Sequence, residues 1–320
     1  MIKKYLKSLL YLYIDKEKKL NTILSNMPDK QCINFVDIGA AGGLEPRWKA
    51  IEKHISYYGF EPDKRSINEL NIKINKIKNK YFYPFALWST NGSIDLNLCK
   101  SPGCSSVFKP NNSFLNRFPN SERFNVASED SLDCVSLDDL NISRCDFMKL
   151  DIQGAELEVL KGAKKTLSNT LGLEIEVEFV HLYTNQPLFG DLCAFLSTHN
   201  FELMDFTNIQ RWGRHSINER LGQAVFGDAL FLKSPEYILE NHNNIETISA
   251  YLKILLIYRR FDLIDILLKH LTIEERALYK EFEVDIRIIK RKFYRANKIS
   301  NIASKLLRLI GVSYRSHLIY

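Results

Sequence analysis

The sequence lacks several features, and each absence removes a class of protein. No run approaches the roughly 20 apolar residues that a bilayer-spanning helix needs. None of the six cysteines (Cys32, Cys99, Cys104, Cys134, Cys145, Cys193) forms a Cys-x-x-Cys pair or stands at zinc-finger spacing from histidine. They read as reduced, mostly buried thiols of a cytoplasmic protein. No repeat of 20–50 residues and no sustained heptad is visible, which excludes solenoids and long coiled coils. Acidic residues are absent from Ile286 to Tyr320, where nine Lys or Arg residues fall. The G-x-G-x-x-G spacing of dinucleotide-binding turns is also missing.

What is present is an ordinary globular composition, 45% hydrophobic and 26% charged, over 320 residues. That length accommodates one large core and an appendage. The start, MIKKYLKSLLYLYID, has lysines and an apolar patch but no small-residue cleavage site, so residues 1–30 are expected to hold an amphipathic helix. Residues 31–234 alternate short apolar runs with helical patterns, as a parallel α/β sheet does. Strands are expected at Asn34–Ile38, Tyr57–Phe60, Tyr81–Leu87, Phe147–Leu150 and Leu173–Phe179. Phe201–Phe206 and Ala224–Leu232 would close the sheet as an antiparallel hairpin. Helices are expected at Pro46–His54, Lys64–Lys78, Ala155–Leu167 and Leu188–His199. A hairpin-like insertion at Ile94–Leu98 precedes Lys100–Ser131, a Ser-, Asn- and Pro-rich stretch without a period that reads as a lid or substrate-facing loop. Residues 235–320 read as a helical, basic extension, with helices at Glu236–His270, Ile273–Arg295 and Asn301–Ile310.

Two acids and a small-residue turn carry the chemistry. Val36-Asp37-Ile38 delivers the chain into Gly39-Ala40-Ala41-Gly42-Gly43, where small side chains let backbone approach a ligand. Ala41 stands where a pyrophosphate-binding turn needs its second glycine, which disfavours a nicotinamide-dependent oxidoreductase. Glu61 follows the run Tyr57–Phe60, where an acid can accept hydrogen bonds from both ribose hydroxyls of a nucleoside. Asp151 lies just past Phe147–Leu150, at the carboxyl end of a strand, where open parallel sheets bind ligands. Glu156, one turn further, either acts with it or favours its own helix N-terminus. Glu178 and His181 sit nearest the carboxyl end of the next strand and, with Asp151, are the candidate general bases.

These blocks resemble the FkbM family of methyltransferases. The matching stretches are Val36–Ala40, Tyr58–Pro62, Ser136–Asp138, Phe147–Glu156, Val159–Ala163 and Glu176–Phe179, with Tyr183 and Pro187–Phe189. The resemblance covers about Asn34–Phe206. It implies a Rossmann-like class I methyltransferase sheet, mostly parallel, of seven strands with an antiparallel closing hairpin, followed here by the α-helical C-terminal appendix. It implies S-adenosylmethionine as cofactor, which has no pyrophosphate and suits the looser turn, with cofactor roles on Asp37, Gly39, Ala40, Glu61 and Asp151. It implies methyl transfer to an oxygen, often a hydroxyl of a sugar, glycan or glycolipid-type acceptor. Ala41 and Gln153 depart from the family's commoner Asn and Glu. A divalent metal held by the same carboxylates is an alternative activator of the hydroxyl. The alternative to an enzyme is a non-catalytic Rossmann-like scaffold whose helical tail binds a partner or membrane.

The basic extension is expected to meet an anionic membrane surface, with a lipid-linked acceptor and a peripheral place at the inner membrane, or to form a homodimer. Nucleic acid is not expected as a partner, because no recognised module accompanies the basic run.

Overall fold

The computed structural model describes residues 20–63, 77–140, 142, 144–216 and 221–309, with side chains placed as far as residue 295. Most of the helix expected at Lys64–Lys78, and most of residues 1–30, lie outside the described residues. The chain divides into two compact units. One is Gln31–Asn243, and the other joins the chain before Gln31 to the chain from Asn244 onward.

The first unit is built on a seven-stranded sheet. In chain order its strands are β1 (Ile33–Ile38), β2 (Ile55–Phe60), β3 (Asn79–Tyr83), β7 (Phe147–Leu150), β8 (Gly172–Glu178), β9 (Glu202–Trp212) and β10 (Gln223–Leu232). Their spatial order is β3-β2-β1-β7-β8-β10-β9. The five strands from β3 to β8 are mutually parallel, while β10 runs antiparallel between β8 and β9. This is the expected class I arrangement: helical crossovers make the parallel part, and a tight return makes the last pair. Both faces are covered, so the central strands read as nearly continuous apolar runs, Phe-Val-Asp-Ile in β1 and Phe-Met-Lys-Leu in β7. The chain reverses its direction of winding between β1 and β7, and the ends of these two strands therefore flank the crevice where such sheets bind ligands.

The segment between β3 and β7 differs from its sequence reading. Tyr81–Leu87 is two strands, β3 and β4 (Ala86–Leu87), split at Pro84 and Phe85. The end of the expected lid, from Val126, is ordered sheet: β5 (Gly92–Cys99), which contains the expected insertion strand, and β6 (Val126–Val135) pair antiparallel, and β4 joins β6 to make a separate three-stranded sheet. The strand β6 escaped detection because Val-Ala-Ser-Glu-Asp-Ser-Leu-Asp is mostly solvent-exposed, so it carries no alternation of apolar and polar residues. Lys100–Asn125 holds the remaining loop, with α1 (Asn112–Leu115) and two 3₁₀ turns.

The helix expected at Ala155–Leu167 is two, α2 (Glu156–Lys161) and α3 (Lys164–Asn169). The break is built, not accidental. Asp138 accepts hydrogen bonds from the Lys165 and Thr166 amides, both at 2.8 Å, and so caps α3. Ser136 Oγ and the Asp138 amide both donate to the Gly162 carbonyl. The Ser136-Leu137-Asp138 block is thus a latch on the helix junction. A Cβ on Gly162 would lie 2.2 Å from the Trp88 carbonyl oxygen, which explains the glycine there. At the far end of α3, the buried Lys233 donates to the Leu167 carbonyl at 3.0 Å and to that of Ser168, satisfying the last acceptors of the helix. Burial holds its ammonium down at about 8.

The second unit is helical. Helices α4 (Ile245–Ile257), α5 (Phe261–His270), α6 (Ile273–Leu278) and α7 (Lys280–Leu309) follow one another, and a short helical turn covers 20–25. The long helix expected at Glu236–His270 is three: Pro235–Asn241, which belongs to the first unit, then α4 and α5, which part at Tyr258–Arg260, where Arg259 has φ +54°. The segments expected at Ile273–Arg295 and Asn301–Ile310 are divided differently, because Tyr279 ends α6 and α7 then runs on through Leu309. Asn244 caps α4, and Thr272 with Glu275 forms a reciprocal capping box on α6. Lys253, fully buried in α4, donates to the Asp29 carbonyl at 3.2 Å. No described helix is long and apolar enough to cross a membrane.

The Gly162 junction gives a direct test. Gly162→Ala forces Cβ against backbone, and thermal denaturation should show a loss of about 1–3 kcal/mol. Gly190→Ala, where nothing lies within 4 Å of the new Cβ, should leave stability within about 1 kcal/mol of the parent.

Candidate active site

A cavity of 460 Å³ opens at the carboxyl ends of β1, β2 and β7. Its first wall is the turn after β1. Gly39 has φ +81° and Gly43 +67°, both in the left-handed region open to glycine. A Cβ on Gly39 would stand 2.0 Å from the Asp151 carbonyl oxygen. The glycine therefore lets the turn pass against the end of β7, with the Asp151 amide bonded to the Ile38 carbonyl at 3.0 Å and the Gly39 amide to that of Phe60. The close approach at residue 39 is to the neighbouring backbone. Ala41 and Gly42 supply the small residues that face the cavity, and a Cβ at Gly42 would meet nothing within 4 Å.

The second wall carries Glu61. Its Oε2 accepts from the Ala41 amide at 3.1 Å and its Oε1 from the Asp63 amide at 2.8 Å. The strand end and the glycine turn are thereby tied together, and the carboxylate is fixed at the cavity edge. Burial pushes its pKa up to about 7 although both amides oppose that shift. Phe60, Phe85, Leu87, Ile94 and Leu132 give this part an apolar lining.

The third wall is the segment after β7. Asp151 lines the cavity, and Lys149 Nζ lies 3.3 Å from its Oδ2. Gln153, with φ +58°, and Gly154, with φ +101°, turn the chain back so that the Gln153 amide reaches two carboxylates. Its Nε2 donates to Glu176 Oε2 at 2.6 Å and to Asp151 Oδ1 at 3.2 Å. The Tyr183 hydroxyl stands 3.1 Å from Gln153 Oε1 and 3.0 Å from the Cys104 carbonyl oxygen. Ser106 Oγ donates to the Gln153 carbonyl, holding the inserted sheet to this turn. Glu156 bends back to accept from the Ile152 amide at 2.8 Å, and burial pushes it up to about 7.

Electrostatics distinguish this wall. Asp37, Lys149 and Glu174 occupy the same register across β1, β7 and β8. Burial opposes the Lys149 charge, but Asp151, Asp37 and Glu45 outweigh it and hold the ammonium far above its ordinary range. Burial raises Asp37 despite Lys149 and despite the Tyr57 hydroxyl, which donates to its Oδ2 at 2.5 Å. Burial, followed by the charges of Asp151, Glu178 and Glu156, raises Glu176 well above the carboxylate range. Glu178 is raised for the same first reason, with Glu156 the next cause.

The residues singled out from sequence therefore fall into three groups. Gly39, Glu61 and Asp151 line one cavity. Asp37, Ala40 and Glu178 are buried beside it without lining it, with Asp37 Oδ1 and Glu178 Oε2 lacking hydrogen-bond partners among the described residues. His181 is exposed, and the structure does not bring it to the cavity; only its carbonyl is engaged, by Asn111. Sequence reasoning missed Glu176, Gln153 and Lys149. The lone lysine in the apolar run Phe147–Leu150 was the available signal, since a buried cation demands acids around it. Trp212, which also lines the cavity, lies between the two strands expected at Phe201–Phe206 and Ala224–Leu232, in a stretch assigned to neither. No group of three or more His, Cys, Asp or Glu arranged to hold a metal ion occurs among the described residues.

The family described as "Methyltransferase FkbM domain" matches residues 37–203, just over half of the chain. A curated relative, 2-O-methyltransferase NoeI of Sinorhizobium fredii (strain NBRC 101917 / NGR234), is 24% identical over 160 residues. That match covers 48% of this chain and 66% of the relative, slightly under two thirds of its length. Among solved structures, methyltransferase FkbM from Methylobacillus flagellatus KT has 16% identity and a TM-score of 0.39, covering 63% of this chain and 43% of that one. Precorrin-6y C5,15-methyltransferase from Geobacter metallireducens GS-15 has 11% identity and a TM-score of 0.35, covering 67% and 87% respectively. With its family match spanning the glycine turn, Glu61 and the Asp151 segment, the chain belongs to the FkbM family of S-adenosylmethionine-dependent methyltransferase domains.

Proposed function

We propose that the protein transfers a methyl group from S-adenosylmethionine to a hydroxyl oxygen of a sugar, glycan or glycolipid-type acceptor. The observation that carries this reading is one cavity running from the fixed carboxylate of Glu61, past the glycine turn, to the carboxylates of Asp151 and Glu176. The residues fit the cofactor. Glu61 would accept the two ribose hydroxyls, Phe60, Phe85 and Leu87 would cover the adenine, and Ala41 and Gly42 leave room beside the turn. The acidic lining at Asp151 and Glu176 favours positive charge at that end. When bound, the cofactor supplies an already electrophilic methyl on a sulfonium.

The chain's own task is then alignment, exclusion of water and handling of one proton. Asp151 is the base we assign, because it lines the cavity at the strand end while Glu178 lies behind it and His181 is exposed. Lys149 and the Gln153 amide hold one Asp151 oxygen each and so fix the carboxylate in place. The relative named as a 2-O-methyltransferase supports oxygen as the acceptor atom.

Donor binding tests the cofactor half. In the free protein Glu61 titrates at about 7. Its ionised form is the one that accepts from the ribose, so affinity for S-adenosylhomocysteine should fall about tenfold from pH 8 to pH 6 as the proton goes on. Glu61→Gln should weaken binding about 10- to 100-fold at pH 8 and flatten that dependence. Calorimetry at the two pH values reads both, and unchanged affinity in the variant would sink the ribose assignment.

The transfer half is tested with methyl-labelled S-adenosylmethionine and a panel of oligosaccharides, followed by identification of the methylated atom. Label on nitrogen or carbon would refute O-methylation. Asp151→Asn should lower turnover by about 10²–10⁴-fold, with S-adenosylhomocysteine affinity changed far less.

A further inference from the structure

The end of the cavity away from Glu61 is closed by a second buried cluster that includes Cys104, Phe124, Leu182, Tyr183 and Trp212. It is assembled from the inserted segment and the closing strands: Phe124 ends the 3₁₀ turn before β6, Trp212 ends β9, and Phe226 in β10 packs edge-on to Trp212 at 6.1 Å. Arg123 is the cation of this end. Its guanidinium lies 5.0 Å from the Phe124 ring centre and 4.8 Å from that of Trp212, and it lines the cavity.

Arg123 differs from the arginines around it. Arg117 and Arg214 also lie over rings of the cluster, Phe114 and Phe118, but each donates to a backbone carbonyl. Among the described residues the Arg123 side chain has no hydrogen-bond acceptor and no carboxylate within ion-pair distance, and its Nε is buried without a partner. Ring contacts stabilise a guanidinium but offer its N–H groups no acceptor, and a partly desolvated cation is costly until an acceptor arrives. A planar fork of N–H donors matches a carboxylate or a phosphate.

Taking the reading above as given, with the donor at the Glu61 end, we propose that Arg123 is the anion-binding residue of the acceptor subsite. The hydroxyl that is methylated then belongs to a sugar that also carries a carboxylate or phosphate. Such a group would neutralise the one cation that lines this end of the cavity among the described residues, and leave the rest of the sugar against Phe124, Trp212 and Leu182. The acidic lining of Asp151 and Glu176, which lies between the Glu61 end and Arg123, disfavours the anion there, so the pattern of charge also sets the orientation of the acceptor.

The test is calorimetric titration of the full chain saturated with S-adenosylhomocysteine, using methyl α-D-glucuronide, glucose 1-phosphate and methyl α-D-glucoside as probes. At least one anionic probe should bind about tenfold or more tightly than the neutral glucoside, and Arg123→Gln should remove that margin while S-adenosylhomocysteine affinity stays within about twofold. The uronide and phosphate arms distinguish the two sources of charge. Arg123→Lys should retain part of the preference, because charge remains but the two-pronged geometry is lost. Equal binding of neutral and anionic probes, or no binding of either anionic probe, overturns the proposal. So does an Arg123→Gln variant that loses S-adenosylhomocysteine affinity instead, which would move Arg123 to the donor. Failure of the unaltered protein to bind S-adenosylhomocysteine would be a different result, striking the donor assignment itself.

Discussion

A single ammonium holds the centre of this sheet together. Lys149 sits in β7 with Asp37 beside it in β1, Glu174 beside it in β8, Glu45 nearby and Asp151 two residues on. Each of those carboxylates would be costly to bury alone, and so would the lysine. Together they form a compensated layer at the point where the sheet reverses its winding, which is also where the cavity opens. Removing one partner of such a layer typically costs about 3–5 kcal/mol, because it leaves the others unpaired. The same interaction that permits the strands to pack also fixes the Asp151 carboxylate that faces the cavity. Stability and chemistry are therefore not separable at β7.

The rest of the site is built outward from that layer by backbone geometry. Gly39 has to be glycine so that the turn can lie against Asp151, and the left-handed Gln153-Gly154 pair returns the chain so that one amide bridges Asp151 and Glu176. Tyr183 and Ser106 then attach the inserted segment to the same turn. On the proposed reading the donor wall comes from the ends of β1 and β2, and much of the acceptor wall from the insertion and the closing hairpin. Changes in the insertion can reshape the acceptor end without disturbing Lys149 and its acids.

The parts of the fold legible in the sequence were those whose physics is local. β1, β7 and β8 are buried on both faces and appear as apolar runs, so their positions were readable to within a residue or two. Glu61 and Asp151 were readable because strand ends define where ligands sit. β6 was not, because most of it faces solvent and so carries no apolar alternation. The split of Ala155–Leu167 was not readable either, since it depends on Asp138 and Trp88, more than twenty residues away. His181 was drawn into the site by its distance along the chain from β8; the chain turns away after Glu178, and a residue three further on faces solvent. Glu176 was one register step from Glu178, a distinction that only the pairing with Asp228 in β10 fixes.

The charge of the cavity lining bears on which step the acids serve. A carboxylate near a sulfonium lowers the free energy of the bound donor, but positive charge leaves the sulfur as the methyl moves. An interaction stronger in the ground state than in the transition state contributes affinity and not rate. Burial and its acidic neighbours raise the pKa of Glu176, which disfavours a full negative charge there against the departing sulfur. Asp151 is the exception. Lys149 pairs with it, and in the proposed transfer a proton arriving from the acceptor hydroxyl would give it an interaction that grows as the new bond forms. In the proposed reaction, rate enhancement rests on alignment of the acceptor and on one proton transfer, and the acidic cluster behind Asp151 would hold that carboxylate where the transfer requires it.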